Sequence, residues 1–286
     1  QLPDSLLAMK KHAVQLPHIG MFCDEMRDSL RGPWGNDAKG AFVIGRMGYA
    51  AGVKFGLAGG IAHPQLVSDK ESAVPAFWAA QPEQMISYVS CHDDLCLADR
   101  LKTTLPGLSA LEMNALAKLA ATAVFTSQGI PFWYAGDEIL RDKQGVANSY
   151  KSPDEINAIN WGRKTSQRDF FDYVRGLIAM RKAHPSFRMG DADLIAKHLE
   201  FLPVPASNVV AFRIKGSPAG DSWLNTIVVL NARTEPVQID VPEGRYWIAC
   251  RDGRIDNVLG LGTLTGNKLV VAPRTAMIAV SYTHLR

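Results

Sequence analysis

The stretch Met85-Ile-Ser-Tyr-Val-Ser-Cys-His-Asp93 sets the architecture, because an apolar run leads directly into a histidine and a carboxylate. An amphipathic helical pattern follows soon afterwards, opening at Ser109. A strand that ends in polar residues and then crosses back through a helix is the layout of a barrel enzyme, in which catalytic groups lie at the carboxyl ends of the strands. We therefore predict that His92 and Asp93 follow the carboxyl end of a buried strand over 85–90.

Two further apolar runs predict parallel strands. The first is His18-Ile-Gly-Met-Phe-Cys23, and the second is Ile130-Pro-Phe-Trp-Tyr134, after which a turn presents Asp137 and Glu138. Short apolar runs bounded by turn signals are typical of strands buried on both faces. Strands followed by helices at this spacing indicate a parallel sheet with right-handed crossovers.

Two helices are predicted between and after these strands. Ser109-Ala-Leu-Glu112 is a capping box, in which Ser109 and Glu112 satisfy each other's backbone donors, and the helix should end before Gln128-Gly129. The second helix should run from Ser166 to His184, since Pro185 restricts the residue before it. Residues 32–60 are too rich in glycine to predict a continuous helix.

The predicted secondary structure changes near residues 189–196. Short strands, in which apolar and polar residues partly alternate, replace the helices. Six such strands without intervening helices predict an antiparallel β-sandwich. We place a domain boundary between 190 and 191, with domains over 1–190 and 191–286. The predicted strands are Val209–Ile214, Thr226–Leu230, Val237–Val241, Arg245–Ala249, Lys268–Val271 and Ala276–Val280.

Composition narrows the classes of function. The chain has 286 residues, 47% of them hydrophobic, and a net charge of +3 without any run of Lys or Arg longer than a pair. Nucleic-acid binding therefore has no electrostatic support. No apolar stretch reaches the ~20 residues that a membrane span requires. The four cysteines show no C-x-x-C spacing, so we expect free, mostly buried thiols and no metal site.

Three polar segments are candidates for chemistry, and each has a structural alternative. His92-Asp93-Asp94 is either the cap of a following helix or a pair of groups that stabilises a charged sugar ring. Asp137-Glu138 is either a cap, a salt bridge with Arg141 or a catalytic element. The loop that contains Asn148 and Tyr150 is polar and long, as loops that contact substrate often are.

These motifs resemble those of the type I pullulanases, which are α-1,6-debranching enzymes of the α-amylase superfamily (glycoside hydrolase family 13). Ser87–Asp93 is similar to the superfamily's fourth signature segment, after the seventh barrel strand. Gln128–Glu138 resembles the eighth strand, and Phe22–Gly32 resembles the sixth strand and its exit. The other similar segments are Gln144–Asp154, Ile156–Trp161 and Ile178–Phe187.

The resemblance implies a fold and a set of site residues. The fold is α/β plus all-β: about strands 6–8 of a (β/α)8 TIM-type barrel, followed by an antiparallel β-sandwich. Asp93 corresponds to the third catalytic carboxylate, which assists the transition state without being nucleophile or proton donor. His92 corresponds to the imidazole that binds the sugar, and Asn148 and Tyr150 to substrate contacts. Asp94 stands among the substrate-binding residues where most of the superfamily has Asn, so a carboxylate replaces a neutral donor.

The resemblance also implies that some parts are absent. The first three signature segments, which carry the nucleophile Asp and the acid Glu, have no match here. We therefore expect the C-terminal part of a longer enzyme that needs the missing N-terminal barrel portion as its partner and is inactive alone. Its expected substrate is an α-glucan such as pullulan, glycogen or a starch-derived glucan.

Two alternatives stay open at this point. One is a non-catalytic glucan-binding or interaction protein, and the other is an isoamylase or a glycogen-branching or debranching relative. No cofactor is expected, because an acid and a nucleophile suffice for glycoside cleavage. A calcium requirement and the localisation are not readable from the residues.

Overall fold

The computed structural model describes residues 3–4, 7–68 and 73–282. Within these residues the helices are α1 (Asp24–Arg31), α2 (Ala50–Leu57), α3 (Leu97–Thr104), α4 (Ala110–Thr126), α5 (Asp154–Asn157), α6 (Arg163–Ser166), α7 (Arg168–Ala183) and α8 (Ala192–His198). The strands are β1 (Met21–Phe22), β2 (Met85–Ser87), β3 (Ile130–Pro131), β4 (Leu199–Phe201), β5 (Val209–Lys215), β6 (Trp223–Asn231), β7 (Val237–Arg251), β8 (Arg254–Ile255), β9 (Thr263–Val271) and β10 (Thr275–Tyr282).

The first sheet has three parallel strands in the order β1-β2-β3. Met21 pairs with Met85, and Ile86 pairs with Ile130. Each strand is shorter than the apolar run that predicted it: β2 and β3 lose residues at the carboxyl end, which form loops, while β1 begins three residues later than predicted, at Met21. Among the described residues β1 and β3 each have one neighbour, so the sheet is open at both edges. The rest of the expected barrel stays a prediction.

The helix that follows the capping box is confirmed as α4. Ser109 Oγ accepts from the backbone N–H of Glu112 at 3.2 Å, while Glu112 accepts from the backbone N–H of Ser109 at 3.1 Å. The second predicted helix is α7, whose end is confirmed at Ala183 with His184 as its C-cap, directly before Pro185, but which begins at Arg168 and not at Ser166, the last residue of α6. Both ends follow local rules, which explains why sequence alone located them.

Helix α2 lies inside the stretch that was too glycine-rich to predict a helix. The helix forms because two of its glycines allow close approach to α1. A Cβ on Gly52 would overlap Ser29, and a Cβ on Gly56 would overlap the Met26 side chain. Tertiary packing therefore outweighs the cost of about 1 kcal/mol that each glycine imposes on a helix.

The second sheet has seven strands, all paired antiparallel. The predicted break between Val237–Val241 and Arg245–Ala249 is wrong, because one 15-residue strand, β7, spans both. The Pro242-Glu-Gly244 turn is instead a register shift between Asp240 and Gly244. Most of β7 pairs with β9, and its last residues pair with β10 and β8.

The seven-stranded sheet has a buried cluster on each face. On one face, β5, β6 and β10 contribute to the same cluster as β7 and β9, for example through Val229, Ile239 and Leu269. On the other face, residues such as Phe212 and Ile278 join the core that also contains the helices. This second cluster crosses residue 190, and the domain boundary there stays a prediction. No helix in the described ranges is long and apolar enough to cross a membrane.

Candidate functional site

The parallel sheet brings three chain segments to one edge. Parallel strands in register end on the same side, so the residues after β1, β2 and β3 share that side. The segments that leave these strands include Asp24, His92-Asp93 and Tyr134. Strand pairing thus brings together residues that are far apart in sequence.

His92 and Asp93 lie exposed at this edge, on the wall shared by two adjoining hollows. Their side chains are 78% and 76% accessible, and His92 Nδ1 lies 3.7 Å from Asp93 Oδ2. One hollow has a volume of about 700 Å³ and lies towards α1. The other has a volume of about 450 Å³ and lies towards the loop after β3. An imidazole and a carboxylate in this position can both reach a sugar-sized ligand.

These residues are not the cap of the following helix. The N-cap of α3 is Cys96, with Leu97 as the first helical residue. The alternative in which Asp93 or Asp94 caps the helix is therefore wrong.

Asp94 differs from its neighbours, because its carboxylate points into the protein. The residue is 7% exposed, and its carboxylate accepts from Arg31 Nη2 at 2.7 Å. Arg31 also donates to the backbone oxygen of Leu95 at 2.7 Å. Asp94 therefore anchors the turn behind Asp93 while it also lines the larger hollow, and its contact with substrate stays a prediction.

Asn148 joins the loop after β3 to the loop after β2. Its Oδ1 accepts from the backbone N–H of Asp94 at 2.8 Å, and its own backbone has a φ of +50°. Tyr150, two residues on, is 80% exposed and lines the smaller hollow. The structure thus brings all five predicted site residues together, with Asp94 and Asn148 engaged in holding the loops.

Buried polar side chains form hydrogen bonds that fix the loop carrying Tyr150. Lys143 Nζ donates to Ser149 Oγ at 2.8 Å, and Ser149 Oγ donates to Asn157 Oδ1 at 2.7 Å. Asn157 Nδ2 in turn donates to the backbone oxygens of Ser149 and Ser152. These bonds fix the loop conformation, so Tyr150 is presented by an ordered scaffold.

Sequence reasoning missed a cluster on the α1 side of the larger hollow. Arg27 Nη1 donates to Asp24 Oδ1 at 2.9 Å and to the Tyr88 hydroxyl at 2.7 Å, and that hydroxyl donates to Asp24 at 2.6 Å. Burial opposes ionisation of Asp24, but hydrogen bonds from Tyr88 and Lys10 outweigh it and lower the pKa of that carboxyl. Trp34, 70% exposed, lines the same hollow. Only the polar residues directly after β1 signalled this cluster in the sequence.

Asp137 lies beneath the site and is fully buried. Its Oδ2 accepts from the Ser90 hydroxyl, and its Oδ1 has no hydrogen-bond partner among the described residues. Burial raises the pKa of the Asp137 carboxyl to about 7. Arg141 does not form the predicted salt bridge, since it donates to the Tyr134 hydroxyl at 3.0 Å and to a backbone oxygen. Glu138 accepts from the backbone N–H of Gly136, but no side chain caps the short helical turn that begins at Asp137.

One group of side chains at the site has the donor types that a metal ion uses. Cys91, His92 and Asp93 each offer one ligand atom, and these atoms lie within 4.8 Å of one another. The cysteine spacing gave no sign of this group in the sequence, because its three residues are consecutive and contain no C-x-x-C motif. The expectation that the chemistry needs no cofactor stays a prediction.

Comparisons with known proteins find similarity to pullulanases. Residues 195–254 match the family model "Pullulanase, all-beta domain". The pullulanase of Bacillus subtilis (strain 168) is 34% identical over 241 residues, which cover 84% of this chain and 32% of that protein. The chain thus spans about a third of the length of this curated relative, and a smaller share of the others compared.

Solved structures show the same likeness. Pullulanase type I from Bacillus subtilis str. 168, complexed with maltose, superposes with a TM-score of 0.90 at 29% identity, over 99% of this chain and 38% of that one. The pullulanase from Paenibacillus barengoltzii, in complex with maltohexaose and alpha-cyclodextrin, superposes with a TM-score of 0.86 at 36% identity, over 98% of this chain and 41% of that one.

Proposed function

Since this chain belongs to the pullulanase-type glycoside hydrolases, we propose that it contributes part of a site that hydrolyses α-1,6-glucosidic branch points in pullulan, glycogen or starch-derived glucans. The observation that carries the proposal is the position of Asp93. Its carboxylate is exposed on the wall between two hollows, next to the His92 imidazole and at the carboxyl end of a parallel sheet.

Asp93 stabilises the transition state and is neither the nucleophile nor the proton donor. As the sugar ring flattens and gains positive charge, hydrogen bonds from its hydroxyls to Asp93 strengthen, which lowers the barrier. His92 donates a hydrogen bond to the same ring. The buried pairing of Asp94 with Arg31 holds the turn, so that the geometry exists before substrate binds.

The nucleophile and the proton donor belong to further barrel strands in this proposal. The open edges of the first sheet support this, because unpaired strand edges invite pairing with more strands. Ile130 in β3 and Phe22 in β1 are 46% and 39% exposed, which is costly for apolar strand residues unless other elements cover them. The chain by itself therefore binds glucan and does not cleave it.

The test uses the purified chain with pullulan. We expect retarded migration in gels that contain pullulan, and no release of reducing sugar. Tyr150→Ala and Trp34→Ala should each migrate faster than wild type, because both rings stand exposed at the hollows. Release of maltotriose by the chain alone would contradict the assignment of the nucleophile and acid to other strands. Absence of any retardation would contradict the glucan site.

A second candidate is a glucan-binding protein without hydrolytic activity. The same exposed aromatic residues around Asp93 favour it, since stacking on sugars does not require the other carboxylates. Adding the N-terminal barrel region of a pullulanase relative in trans distinguishes the two, because activity should appear only if the site completes a hydrolase. That activity should disappear with Asp93→Asn.

A further inference from the structure

The loop after β2 carries a second set of ligands besides its sugar-binding groups. Cys91 is the one cysteine of the four that is not buried, and its Sγ lies 3.8 Å from the backbone oxygen of Asp93. The thiol therefore turns back towards His92 and Asp93. The three ligand atoms lie within 4.8 Å of one another.

The other thiols have different surroundings and serve as internal comparisons. Cys96 Sγ contacts Asp99 at 3.1 Å, and Cys250 Sγ contacts the Tyr173 hydroxyl at 3.2 Å. Both are buried, at 1% and 0% exposure. Cys23 is likewise buried, with Glu25 as its neighbour. Of the four cysteines, only Cys91 is accessible to solvent and lies next to both an imidazole and a carboxylate.

The distance between the imidazole and carboxylate ligand atoms is close to what a tetrahedral ion requires, and the thiol sulfur lies within 4.8 Å of both. With metal–ligand distances of ~2.0–2.1 Å, nitrogen and oxygen ligands of Zn²⁺ stand roughly 3.3 Å apart. His92 Nδ1 and Asp93 Oδ2 are 3.7 Å apart, so a shift of a few tenths of an ångström would bring them into place. Both side chains are exposed and free to make that shift.

Charge at the loop is also compatible with a divalent cation. A Cys91 thiolate and the Asp93 carboxylate together neutralise two positive charges. The nearby guanidinium groups are already paired, Arg27 with Asp24 and Asp28, and Arg31 with Asp94. They therefore repel an incoming cation less than free arginines would.

We propose that Cys91, His92 and Asp93 form a binding site for a borderline-soft divalent cation such as Zn²⁺, and that an ion bound there blocks the glucan site. Binding forms a metal–sulfur bond and releases the thiol proton to solvent. Sulfur and nitrogen ligands select Zn²⁺ over Ca²⁺, which prefers six to eight oxygens. The blocking step rests on the proposed function, because the same two side chains would bind the sugar.

The first experiment titrates the purified chain with Co²⁺ as a spectroscopic probe. We expect a sulfur-to-cobalt charge-transfer band that saturates at one ion per chain, disappears on addition of Zn²⁺ and is unaffected by Ca²⁺. Cys91→Ser should abolish the band. His92→Gln and Asp93→Asn should each weaken binding by roughly tenfold or more, at least as much as the loss of an outer-sphere partner does.

A matched control is present in the chain itself. His18 Nδ1 lies 3.7 Å from a Glu83 carboxylate oxygen, with the imidazole 85% exposed and no cysteine beside it. His18→Asn should leave Co²⁺ binding unchanged. A band that persists in Cys91→Ser, or that is lost in His18→Asn, would overturn the site. Circular dichroism of each variant verifies that the fold is retained.

The second experiment measures retardation in pullulan gels with and without Zn²⁺. Zn²⁺ should weaken retardation of wild type at least tenfold and leave that of Cys91→Ser unchanged. Equal retardation of wild type at saturating Zn²⁺ would overturn the blocking step. Failure to bind pullulan even without metal, together with a normal Co²⁺ titration, would overturn the proposed function while the metal site stands.

Discussion

Arg31 in α1 donates to the carboxylate of Asp94 at 2.7 Å, across 63 positions of sequence, in a pair whose side chains are 1% and 10% exposed. Asp94 has a φ of +64°, so the turn that follows Asp93 is held in a left-handed conformation by a buried ion pair. The part of the loop that carries His92 and Asp93 is exposed, but Asp94 directly behind it is fixed in the core. This separation explains how Asp93 can be both accessible and positioned.

Breaking this pair should destabilise the chain. Asp94→Asn removes the buried partner of Arg31, and Arg31→Leu leaves Asp94 with only Arg100 at 4.0 Å, so each should lower the free energy of unfolding by about 3 kcal/mol. The double variant should lose clearly less than the sum, because neither charge is then left alone. Urea unfolding of all four forms measures this coupling. Additive losses would show that the pair contributes nothing as a pair.

Asn148→Gly should weaken glucan binding without unfolding the chain. Glycine accepts the φ of +50° at this position, so the substitution removes chiefly the acceptor for the Asp94 N–H. We expect pullulan affinity to fall roughly fivefold, the equivalent of one hydrogen bond of about 1 kcal/mol. Gln144→Gly is the matched control, since Gln144 also has a positive φ and is exposed. An equal loss of affinity in both variants would point to loop flexibility instead.

Asp137 should make stability fall as the pH rises from about 4 to about 7. Burial raises the pKa of this carboxyl from 3.8 in the unfolded chain to about 7 in the folded one, so the folded state binds more protons in that interval. Its contribution is fully present below pH ~4 and is lost as the pH rises through the folded pKa. Asp137→Asn cannot ionise and should flatten the dependence.

The measurement is urea unfolding of wild type and Asp137→Asn at several pH values between 5 and 8. Relative to wild type, the variant should gain free energy of unfolding at the upper end, by on the order of 1–3 kcal/mol. Asp240→Asn, at an exposed position of β7, controls for loss of a carboxylate in general. Parallel curves for wild type and Asp137→Asn would contradict the prediction.

Asp93→Asn should separate turnover from binding. In the enzyme that has all of its catalytic carboxylates, we expect kcat on pullulan to drop by on the order of a hundredfold or more. KM should change far less, because Asn keeps the size of the side chain and one of its two hydrogen-bond acceptors. Asp240→Asn should behave as wild type. A variant with normal kcat would remove Asp93 from the mechanism.

Local signals in the sequence predicted much of the fold. The capping box at Ser109 located α4, and Pro185 located the end of α7, because both act within a few residues of the helix ends. The apolar run before His92 predicted a strand that delivers that residue to a sheet edge. Such signals depend on the backbone's own hydrogen bonds and sterics, so they are legible without knowledge of the fold.

Other features depended on partners far away in the chain. The glycines of α2 are explained only by Met26 and Ser29 on α1, and the continuity of β7 only by its pairing with β9. The cluster of Asp24, Arg27 and Tyr88 spans more than 60 positions. No local pattern encodes these contacts.

The amino-acid sequence alone determined which chemical groups follow each strand. The residue that comes after an apolar run is fixed by the sequence, whatever the fold. Tertiary structure alone decided their roles. Asp93 and Asp94 are adjacent carboxylates of identical chemistry, yet one faces the hollows and the other faces Arg31. A left-handed turn and a guanidinium from another helix make that difference, because the direction of a side chain is set by packing in three dimensions.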